Sequence, residues 1–355
     1  MDWQHIVITG GAGFVGVNLA RAFLEKGNRV TLLDLTDKGG RLPSLLREYE
    51  GRVAFKCIDL AGESCDLPVD ADLVIHLAAF PHVDYSYFYP HKVIRNNIGS
   101  LVGVLDDCIR KNIPVLYASS VEVYGGDGRY GRYVYGESDR LNPQSPYAAS
   151  KLAGESILET YRECYGLHYI IFRLTNLYGP WQLPDRIIPR LITRSLLNLQ
   201  TEINGDVVRD YVYIGDAVEA IYLLSAEECW GETYNISSGD GISVKDLVSV
   251  LFQDEGMNKI ERPILSPQID SRRGRGSCLI SDNQKVKEKT GWVPATSLPE
   301  GVEKTFSWYR RNEQWWARYI KNIRSDRSAD DFIIDTLFHG CGTRLKSNNV
   351  EKCHG

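Results

Sequence analysis

Short apolar runs alternate with amphipathic helical patterns through the first half of the chain. Runs of strand length lie at residues 6–9, 29–34, 53–58, 72–79 and 114–120. Apolar runs this short, bounded by turn residues, are consistent with strands buried on both faces. Strands that alternate with helices predict a parallel sheet covered on both sides. We therefore expect an α/β fold with a doubly wound parallel sheet.

A glycine-rich turn follows the first of these runs directly. Gly10, Gly13 and Gly16 lead into a helical pattern at residues 17–24, and the second strand ends at Asp34. Glycines let the backbone approach a pyrophosphate, which sits at the positive N-terminus of the helix. A carboxylate at the end of the second strand can accept a hydrogen bond from a ribose 2′-hydroxyl. This order of elements predicts a dinucleotide site of the Rossmann type.

Another helical pattern begins at Ser145, a good N-cap, with Pro146 at the first helical position and Gly166 as its stop. Tyr147 and Lys151 stand four residues apart and share one helix face. An adjacent ammonium favours the phenolate and lowers the tyrosine pKa from about 10. Such a tyrosine can take a proton from a sugar hydroxyl while a cofactor accepts the hydride. Alone, this spacing also suits an ordinary surface pair.

Composition and charge exclude several classes of protein. A chain of 355 residues predicts about two domains, and the net charge of −5 argues against a broad nucleic-acid surface. No apolar run is long enough to span a membrane, and the polar N-terminus does not resemble a signal peptide. The eight cysteines form no C-x-x-C pair, which favours reduced thiols in the cytoplasm. We assign no metal site, no nucleic-acid partner and no membrane association.

Several motifs, in this order along the chain, resemble those of the extended short-chain dehydrogenase/reductases, in particular the nucleotide-sugar epimerases and dehydratases. The resemblance covers residues 5–310 and depends on Gly10–Gly16, Asp34, His76–Ala79, Ser119–Gly125, Ser145–Lys151 and Arg173–Pro180. It implies NAD as cofactor, a nucleotide-diphosphate sugar as substrate, and a Rossmann domain with a smaller C-terminal substrate-binding domain. It also implies a homodimer that pairs through two helices of each subunit.

The resemblance implies a domain division. Residues 1–180 are expected to form the NAD-binding domain, and residues 181–324 mainly the substrate domain. The chain is expected to return to the first domain around residues 210–240. Residues 325–355 match nothing in the family and form a tail of unknown role.

The resemblance further implies roles for single residues. Ser120 polarises the sugar 4-hydroxyl, Tyr147 is the base, and Lys151 holds both Tyr147 and the nicotinamide ribose. The residues expected to bind the cofactor are Gly10, Gly13, Phe14, Val15, Gly16, Asp34, Asp59, Leu60, Leu77, Ala78, Ala79, Asn97, Tyr147 and Lys151. The residues expected to bind the substrate are His82, Asn176, Arg186, Arg209 and Arg272.

Two of the substrate residues are arginines assigned to the diphosphate. Arg209 and Arg272 are the expected ligands, because the guanidinium fork matches phosphate oxygens. Arg273 is an alternative to its neighbour, since the sequence after it departs from the family pattern.

The family's reactions share a first step, in which Tyr147 removes the proton of the 4-hydroxyl and NAD accepts the C4 hydride. Glu122 indicates which reaction follows this step. It stands two residues after Ser120, where the dehydratases that the chain resembles keep their C5 base. We therefore expect a 4,6-dehydratase. Val121 replaces the aspartate of the deoxythymidine-type dehydratases and cannot donate a proton, so a 4-epimerase remains the alternative. A decarboxylase and a non-catalytic NAD-binding protein are lesser alternatives.

The carboxylate of Asp34 predicts the choice of cofactor. It would face and repel the 2′-phosphate of NADP, so we expect NAD to bind far more tightly than NADP. Equilibrium titration of the purified protein with each dinucleotide measures this. Comparable affinities for the two would remove the basis for the Asp34 assignment.

Overall fold

The computed structural model describes residues 3–37, 40–62, 65–126, 133–199, 202–204, 207–226, 229–252, 264–266 and 278–320. The strands are β1 His5–Thr9, β2 Arg29–Asp34, β3 Val53–Cys57, β4 Leu73–His76, β5 Val115–Ser120, β6 Val134–Tyr135, β7 Tyr169–Leu174, β8 Asn176–Tyr178, β9 Glu202–Asn204, β10 Val208–Tyr213, β11 Glu232–Ile236, β12 Gly241–Ser243, β13 Ile264–Ser266 and β14 Cys278–Ser281.

The helices alternate with these strands. They are α1 Phe14–Glu25, α2 Leu42–Glu48, α3 Val83–Phe88, α4 Pro90–Lys111, α5 Pro146–Tyr165, α6 Ile187–Leu196, α7 Ile214–Ala226, α8 Val244–Leu251, α9 Gln284–Thr290, α10 Leu298–Arg311 and α11 Glu313–Ile320. A 3₁₀ turn, Val121–Tyr124, follows β5. No helix of the described residues is long and apolar enough to cross a membrane.

A seven-stranded sheet forms the centre of the molecule. Its order is β11-β7-β5-β4-β1-β2-β3, and every neighbouring pair is parallel. The order turns back at β1, where one half of the sheet continues through β2 and the other through β4. Ligands bind at the carboxyl ends of the strands beside such a switch point. The expected doubly wound α/β fold is confirmed.

Helices cover both faces of this sheet. On one face, Leu19 and Phe23 of α1 pack with Ala217 and Ile221 of α7 in one apolar cluster. On the other face, α4 and α5 lie against the sheet, and Tyr117 of β5 is buried in the cluster that they complete. Burial on both faces explains why the strand sequences are almost continuously apolar.

A smaller layer follows β8. Helices α6, α8, α10 and α11 share a third apolar cluster, separate from the two on the large sheet. A second sheet, in the order β12-β10-β14-β6, lies beside this cluster, and β8 also pairs with β10. Helix α7 and strand β11 do not belong to this layer, since α7 packs on α1 and β11 pairs with β7 at the edge of the large sheet.

Helix α5 begins and ends where its sequence indicates. The Ser145 hydroxyl accepts a hydrogen bond from Ala148 N at 3.0 Å, and Pro146 occupies the first turn. Gly166 ends the helix at φ 73°, a left-handed conformation that glycine adopts without strain.

The apolar spacing of residues 299–323 predicts one final helical stretch, and its described part, up to residue 320, forms two helices. Asn312 interrupts it with φ −119° and ψ 35°, and α11 starts at the next residue. The Trp316 indole donates to the carbonyl of Tyr309 at 2.7 Å, which holds α11 back against α10. The break lets the apolar faces of both helices reach the third cluster.

Candidate active site

The glycine turn after β1 is packed too closely for side chains. A Cβ at Gly10, whose φ is 67°, would lie 2.8 Å from the nitrogen of Ala78. A Cβ at Gly16 would lie 2.5 Å from the carbonyl oxygen of Gly10, and one at Gly13 would lie 2.9 Å from the same oxygen. The turn therefore holds the start of α1 directly against the ends of β1 and β4.

The N-terminus of α1 fits a pyrophosphate. Its N-cap, Gly13, provides no side-chain hydrogen bond, and the first turn carries no acidic residue. The N–H groups of Phe14, Val15 and Gly16 have no partners within the helix, because the first turn always leaves them unpaired. Backbone N–H groups at a helix N-terminus, with its positive dipole, are a ready anion site.

Asp34 lies beside this turn at the end of β2. Its carboxylate accepts hydrogen bonds from Ala12 N at 3.0 Å and from Leu35 N at 2.8 Å. Burial raises the pKa of Asp34 to about 6, against the lowering effect of these bonds and of the Arg41 charge. The position suits a ribose hydroxyl next to the pyrophosphate site.

The expected cofactor residues on the other strands line the same edge. Leu77 N donates to the carbonyl of Thr9 at 3.1 Å, so Leu77, Ala78 and Ala79 leave β4 next to the glycine turn. Asn97 of α4 is buried and accepts from Phe80 N at 2.8 Å, while its amide donates to Ser150 at 3.0 Å.

Two further expected residues follow β3. Asp59 accepts from Ala61 N at 2.9 Å, and Leu60 is buried among apolar residues under α4. The carboxylate of Asp59 thus shapes its own turn, at the carboxyl end of the strand beside β2.

Strand β5 and helix α5 bring three expected catalytic residues together. The Ser120 hydroxyl lies close enough to the Tyr147 phenol to act on its ionisation, lowering its pKa. The Ser120 hydroxyl also accepts from Glu122 N at 3.2 Å, which begins the 3₁₀ turn. The Glu122 carboxylate is close enough to raise the pKa of Tyr147. A hydroxyl, a phenol and a carboxylate therefore face one another at the carboxyl end of β5.

Burial has the largest effect on the pKa values of Tyr147 and Lys151, the two side chains that share one face of α5. It raises the pKa of Tyr147 to about 12, although the Ser120 hydroxyl and the charge of Arg186 act to lower it. Burial also lowers the pKa of Lys151 to about 7, against the opposing charge of Glu155. Lys151 Nζ donates to the carbonyl of Ala118 at 2.7 Å. The groups that oppose the raised pKa of Tyr147 are thus Ser120 and Arg186, rather than Lys151 as its helical spacing suggested.

Loops from both layers meet beside Tyr147. His82 Nδ1 lies 3.4 Å from the carboxylate of Asp185, and Arg186 donates to the carbonyl of Pro81 at 2.9 Å. Burial and the charge of Arg186 keep the pKa of His82 well below its usual range, so the imidazole is neutral at pH 7. The expected substrate residues His82 and Arg186 therefore share one side of the candidate site.

Asn176 and Arg209 lie farther along, on β8 and β10. The Asn176 amide donates to the carbonyl of Asp210 at 3.1 Å, and Arg209 is largely buried and donates to the carbonyl of Val208 at 2.8 Å. The Asn176 bond joins β8 to β10, whereas the Arg209 bond stays within β10. Arg272 and its alternative Arg273 lie outside the described residues.

Sequence reasoning missed a buried cation under the glycine turn. Arg41 donates to the carbonyls of Ala12 at 3.0 Å and Trp181 at 2.9 Å, and its guanidinium lies 5.4 Å from the ring centre of Trp315. It joins the turn to the C-terminal helices. No spacing pattern links residue 41 to these partners, so the sequence held no signal for it.

Sequence reasoning also missed a buried ion pair behind β5. The Arg173 guanidinium binds the Glu155 carboxylate through two hydrogen bonds of 3.0 and 2.7 Å. Glu155 follows Lys151 by four residues on the same helix face, a signal that the spacing did offer.

Known proteins resemble this chain over most of its length. The family model described as GDP-mannose 4,6 dehydratase matches residues 7–305. A dTDP-glucose 4,6-dehydratase of Streptomyces antibioticus is 31% identical over 325 residues, covering 88% of this chain and 94% of that protein. The chain belongs to the GDP-mannose 4,6-dehydratase family. The expected resemblance to nucleotide-sugar epimerases and dehydratases is confirmed.

Solved structures of both kinds of enzyme match the fold. A dTDP-glucose 4,6-dehydratase of Streptomyces venezuelae, crystallised with NAD bound, has a TM-score of 0.80 and 28% identity, covering 89% of this chain and 99% of that chain. The UDP-glucose 4-epimerase of Thermotoga maritima, solved with UDP-glucose, has a TM-score of 0.78 and 29% identity, covering 87% and 100%. Members of this family with different reactions thus share one scaffold.

The raised pKa of Asp34 predicts how cofactor choice depends on pH. At pH 8 Asp34 is a carboxylate, whereas at pH 5, below its pKa of about 6, it is protonated and no longer repels a 2′-phosphate. We expect the ratio of the NADP to the NAD dissociation constant to fall between pH 8 and pH 5. Isothermal titration at both pH values measures it.

Asp34→Asn is the matched control, because it keeps the shape and cannot titrate. In this variant the ratio of the NADP to the NAD dissociation constant should change with pH only because the 2′-phosphate itself titrates, an effect that the wild type shares. An identical pH dependence in the two proteins would contradict the assignment.

Proposed function

We propose that this protein is an NAD-dependent nucleotide-sugar 4,6-dehydratase. The observation that carries the proposal is the meeting of Ser120, Glu122 and Tyr147 at the carboxyl end of β5. A phenol can oxidise C4 together with a hydride acceptor, and an added carboxylate can take the C5 proton. Relatives named dTDP-glucose 4,6-dehydratase, 30% and 31% identical over 325 residues, support the same reaction.

The close-packed glycine turn, the open N-terminus of α1 and Asp34 fit NAD. Bound there, NAD supplies the acceptor and later the donor of the hydride. Residues 1–180, with the return of α7 and β11 to the large sheet, form the cofactor-binding part in this proposal. Residues 181–324 contribute most of the substrate side, and Arg209 and the arginines near residue 272 bind the diphosphate.

The side chains divide the proton transfers. Tyr147 removes the proton of the 4-hydroxyl, and the Ser120 hydroxyl donates a hydrogen bond to the oxygen that becomes the C4 ketone. The ketone acidifies the C5 hydrogen, which Glu122 removes as a proton. The bond from C6 to its hydroxyl then breaks, and water leaves as the oxygen takes a proton from Glu122 or from a water molecule, which leaves a C5–C6 double bond. Return of the hydride to C6, with a solvent proton delivered to C5, would saturate this bond and give the 4-keto-6-deoxy sugar.

Val121 favours a second candidate, a nucleotide-sugar 4-epimerase. It is buried in an apolar cluster with Val123, Tyr124 and Leu279, so position 121 offers no acid for the C6 oxygen. An epimerase needs only the removal and return of the C4 hydride, for which Ser120 and Tyr147 suffice. The structural likeness to a UDP-glucose 4-epimerase agrees with this alternative.

Product mass distinguishes the two. The protein is incubated with NAD and, separately, dTDP-glucose, UDP-glucose and GDP-mannose, and the products are analysed by mass spectrometry and NMR. Loss of one water indicates the dehydratase. An unchanged mass with inverted C4 indicates the epimerase, and no reaction with any nucleotide sugar would contradict both.

Tyr147→Phe tests the base. The variant keeps the ring and deletes only the proton acceptor, so dinucleotide and substrate binding should survive. General acid–base catalysis contributes about 10²–10⁴-fold, and we expect kcat to fall by that amount. Steady-state kinetics with the substrate identified above measures it. Near-normal turnover would assign the base elsewhere.

Glu122→Gln tests the C5 base. C4 oxidation should persist, because Ser120 and Tyr147 are unchanged, whereas C5 deprotonation should fail since an amide cannot accept that proton. We expect reduced cofactor to accumulate in a single turnover, measured by its absorbance. In heavy water the wild type should incorporate deuterium at C5 of the product. Normal turnover of the variant without deuterium at C5 would instead support the epimerase.

We further propose that two copies pair through α4 and α5. Apolar side chains spaced four residues apart form a partly exposed stripe on α4, at Ile94, Ile98 and Val102. Ala153 and Ile157 add partly exposed apolar surface on α5, which packs beside α4. Paired with its symmetry mate, this surface makes a four-helix bundle about a two-fold axis.

Ile98→Glu should convert this dimer to a monomer, because it places a charge in the middle of the stripe. Light scattering at micromolar concentration measures the mass. Val69→Glu is the control, since Val69 is an apolar residue that is 90% exposed outside these helices. A monomeric wild type would contradict the proposal.

A further inference from the structure

Behind the candidate site lies an ion pair that the reaction described above does not use. The side chains of Arg173 on β7 and Glu155 on α5 are only 5% and 8% exposed. Arg173 Nε and Nη2 donate to the two carboxylate oxygens of Glu155 at 3.0 and 2.7 Å. Both groups have given up their hydration, and neither reaches the surface.

Each member of the pair also binds a residue next to the catalytic ones. The Ser119 hydroxyl donates to Glu155, and Ser119 directly precedes Ser120. Arg173 Nη1 donates to the Tyr124 hydroxyl at 2.8 Å, and Tyr124 ends the 3₁₀ turn that carries Glu122.

The far side of the turn is held by the same network. The Tyr124 hydroxyl donates to the side-chain oxygen of Asn235 on β11 at 2.8 Å. Arg173 Nη1 also donates to the carbonyl of Glu137 at 3.2 Å, and the Glu137 carboxylate accepts from Asn235 N at 2.7 Å. The ion pair is therefore the centre of a closed set of hydrogen bonds between α5, β5, β7 and β11.

Stability alone does not account for such a pair. Two buried charges lose about as much in desolvation as they gain from each other, and apolar residues of similar volume often replace them without loss. What the pair adds is a fixed relative orientation of the two side chains. A bidentate guanidinium and carboxylate fix both partners in one plane, which apolar packing does not.

We propose that Glu155 and Arg173 are positioning residues, which hold Ser120 and Glu122 in register with Tyr147 and Lys151. Glu155 lies one turn after Lys151 on α5. Lys151 holds the carbonyl of Ala118, and Glu155 holds the hydroxyl of Ser119. The two side chains thus clamp consecutive residues of β5 immediately before Ser120. The role in catalysis rests on the proposed function, whereas the positioning itself does not.

The test compares single-turnover rate constants for cofactor reduction with dTDP-glucose. Such a first-order constant does not depend on the fraction of folded protein, so loss of stability alone leaves it unchanged. For Glu155→Gln we expect the single-turnover rate constant to fall by up to about 10²-fold, the cost of a misplacement near 1 Å. KM, measured separately by steady-state kinetics, should be unchanged. Glu159→Gln is the matched control, since Glu159 lies one turn further on α5 and is exposed. Its rate constant should equal that of the wild type.

Two milder variants apply if Glu155→Gln does not fold. Ser119→Ala and Tyr124→Phe each delete one hydroxyl of the network and keep the ion pair. Each should lower the rate constant while KM stays unchanged. Wild-type rate constants in both would overturn the proposal.

A double variant separates positioning from packing. Glu155→Met/Arg173→Met fills the same space with apolar atoms and should melt near the wild-type temperature. Its rate constant should stay low, because the clamp on Ser119 and Tyr124 is gone. A stable double variant with the wild-type rate constant would overturn the proposal.

A crystal structure of Ser119→Ala gives a readout that needs no substrate. Superposed on α5, it should show Ser120 and the 3₁₀ turn displaced from Tyr147. If the wild type acts on no nucleotide sugar, the proposed function fails and this displacement still decides the positioning. An undisplaced turn would overturn the inference.

Discussion

The anchoring of helix α5 on strand β5 is the contact on which the candidate site depends. Ser120 and Glu122 follow from the strand, whereas Tyr147 and Lys151 belong to the helix. Buried hydrogen bonds from Lys151 to the carbonyl of Ala118, from Ser119 to Glu155 and from the Tyr117 hydroxyl to the carbonyl of Lys151 fix the position of the helix along the strand. The hydrophobic effect itself is not directional, so these bonds add the orientation that it does not supply.

The cofactor end depends on a different constraint, the absence of side chains. At Gly10 and Gly16 the backbones of three elements come closer than any Cβ allows. This approach places the first N–H groups of α1 at the carboxyl edge of the sheet, near Asp34. Arg41 then ties the turn to the C-terminal helices through Trp181 and Trp315. The part of the chain beyond residue 180 is therefore part of the support of the dinucleotide site.

The side of the site that faces the smaller layer differs in character, because a buried imidazole, a buried carboxyl and a partly exposed guanidinium meet there. His82, Asp185 and Arg186 come from two loops and meet beside Tyr147. Their burial keeps His82 neutral and raises the pKa of Asp185, while the charge of Arg186 acts on both groups and on Tyr147. One cation at the boundary of the layers thus links substrate-side residues to the ionisation of the base.

Local chemistry determined much of this protein. Gly10 and Gly16 needed close backbone approach, Asp34 marked the end of a strand, and Ser145 and Gly166 bounded α5, so the sheet and the cofactor edge could be predicted. Helical spacing brought Tyr147 and Lys151 to one face, but it could not reveal that burial outweighs their mutual charge. The smaller layer carried weaker signals, and its last helical stretch breaks at Asn312 because two apolar faces had to reach one cluster.

Only the tertiary structure decided which distant groups became partners. Glu155 and Arg173 are 18 positions apart, and Tyr124 and Asn235 are 111 apart. Helical periodicity relates residues within a few turns, whereas desolvation and hydrogen bonds between elements arise only after the sheet has assembled. The sequence therefore determined where the reactive groups stand on each element, and the fold decided their ionisation and their alignment with one another.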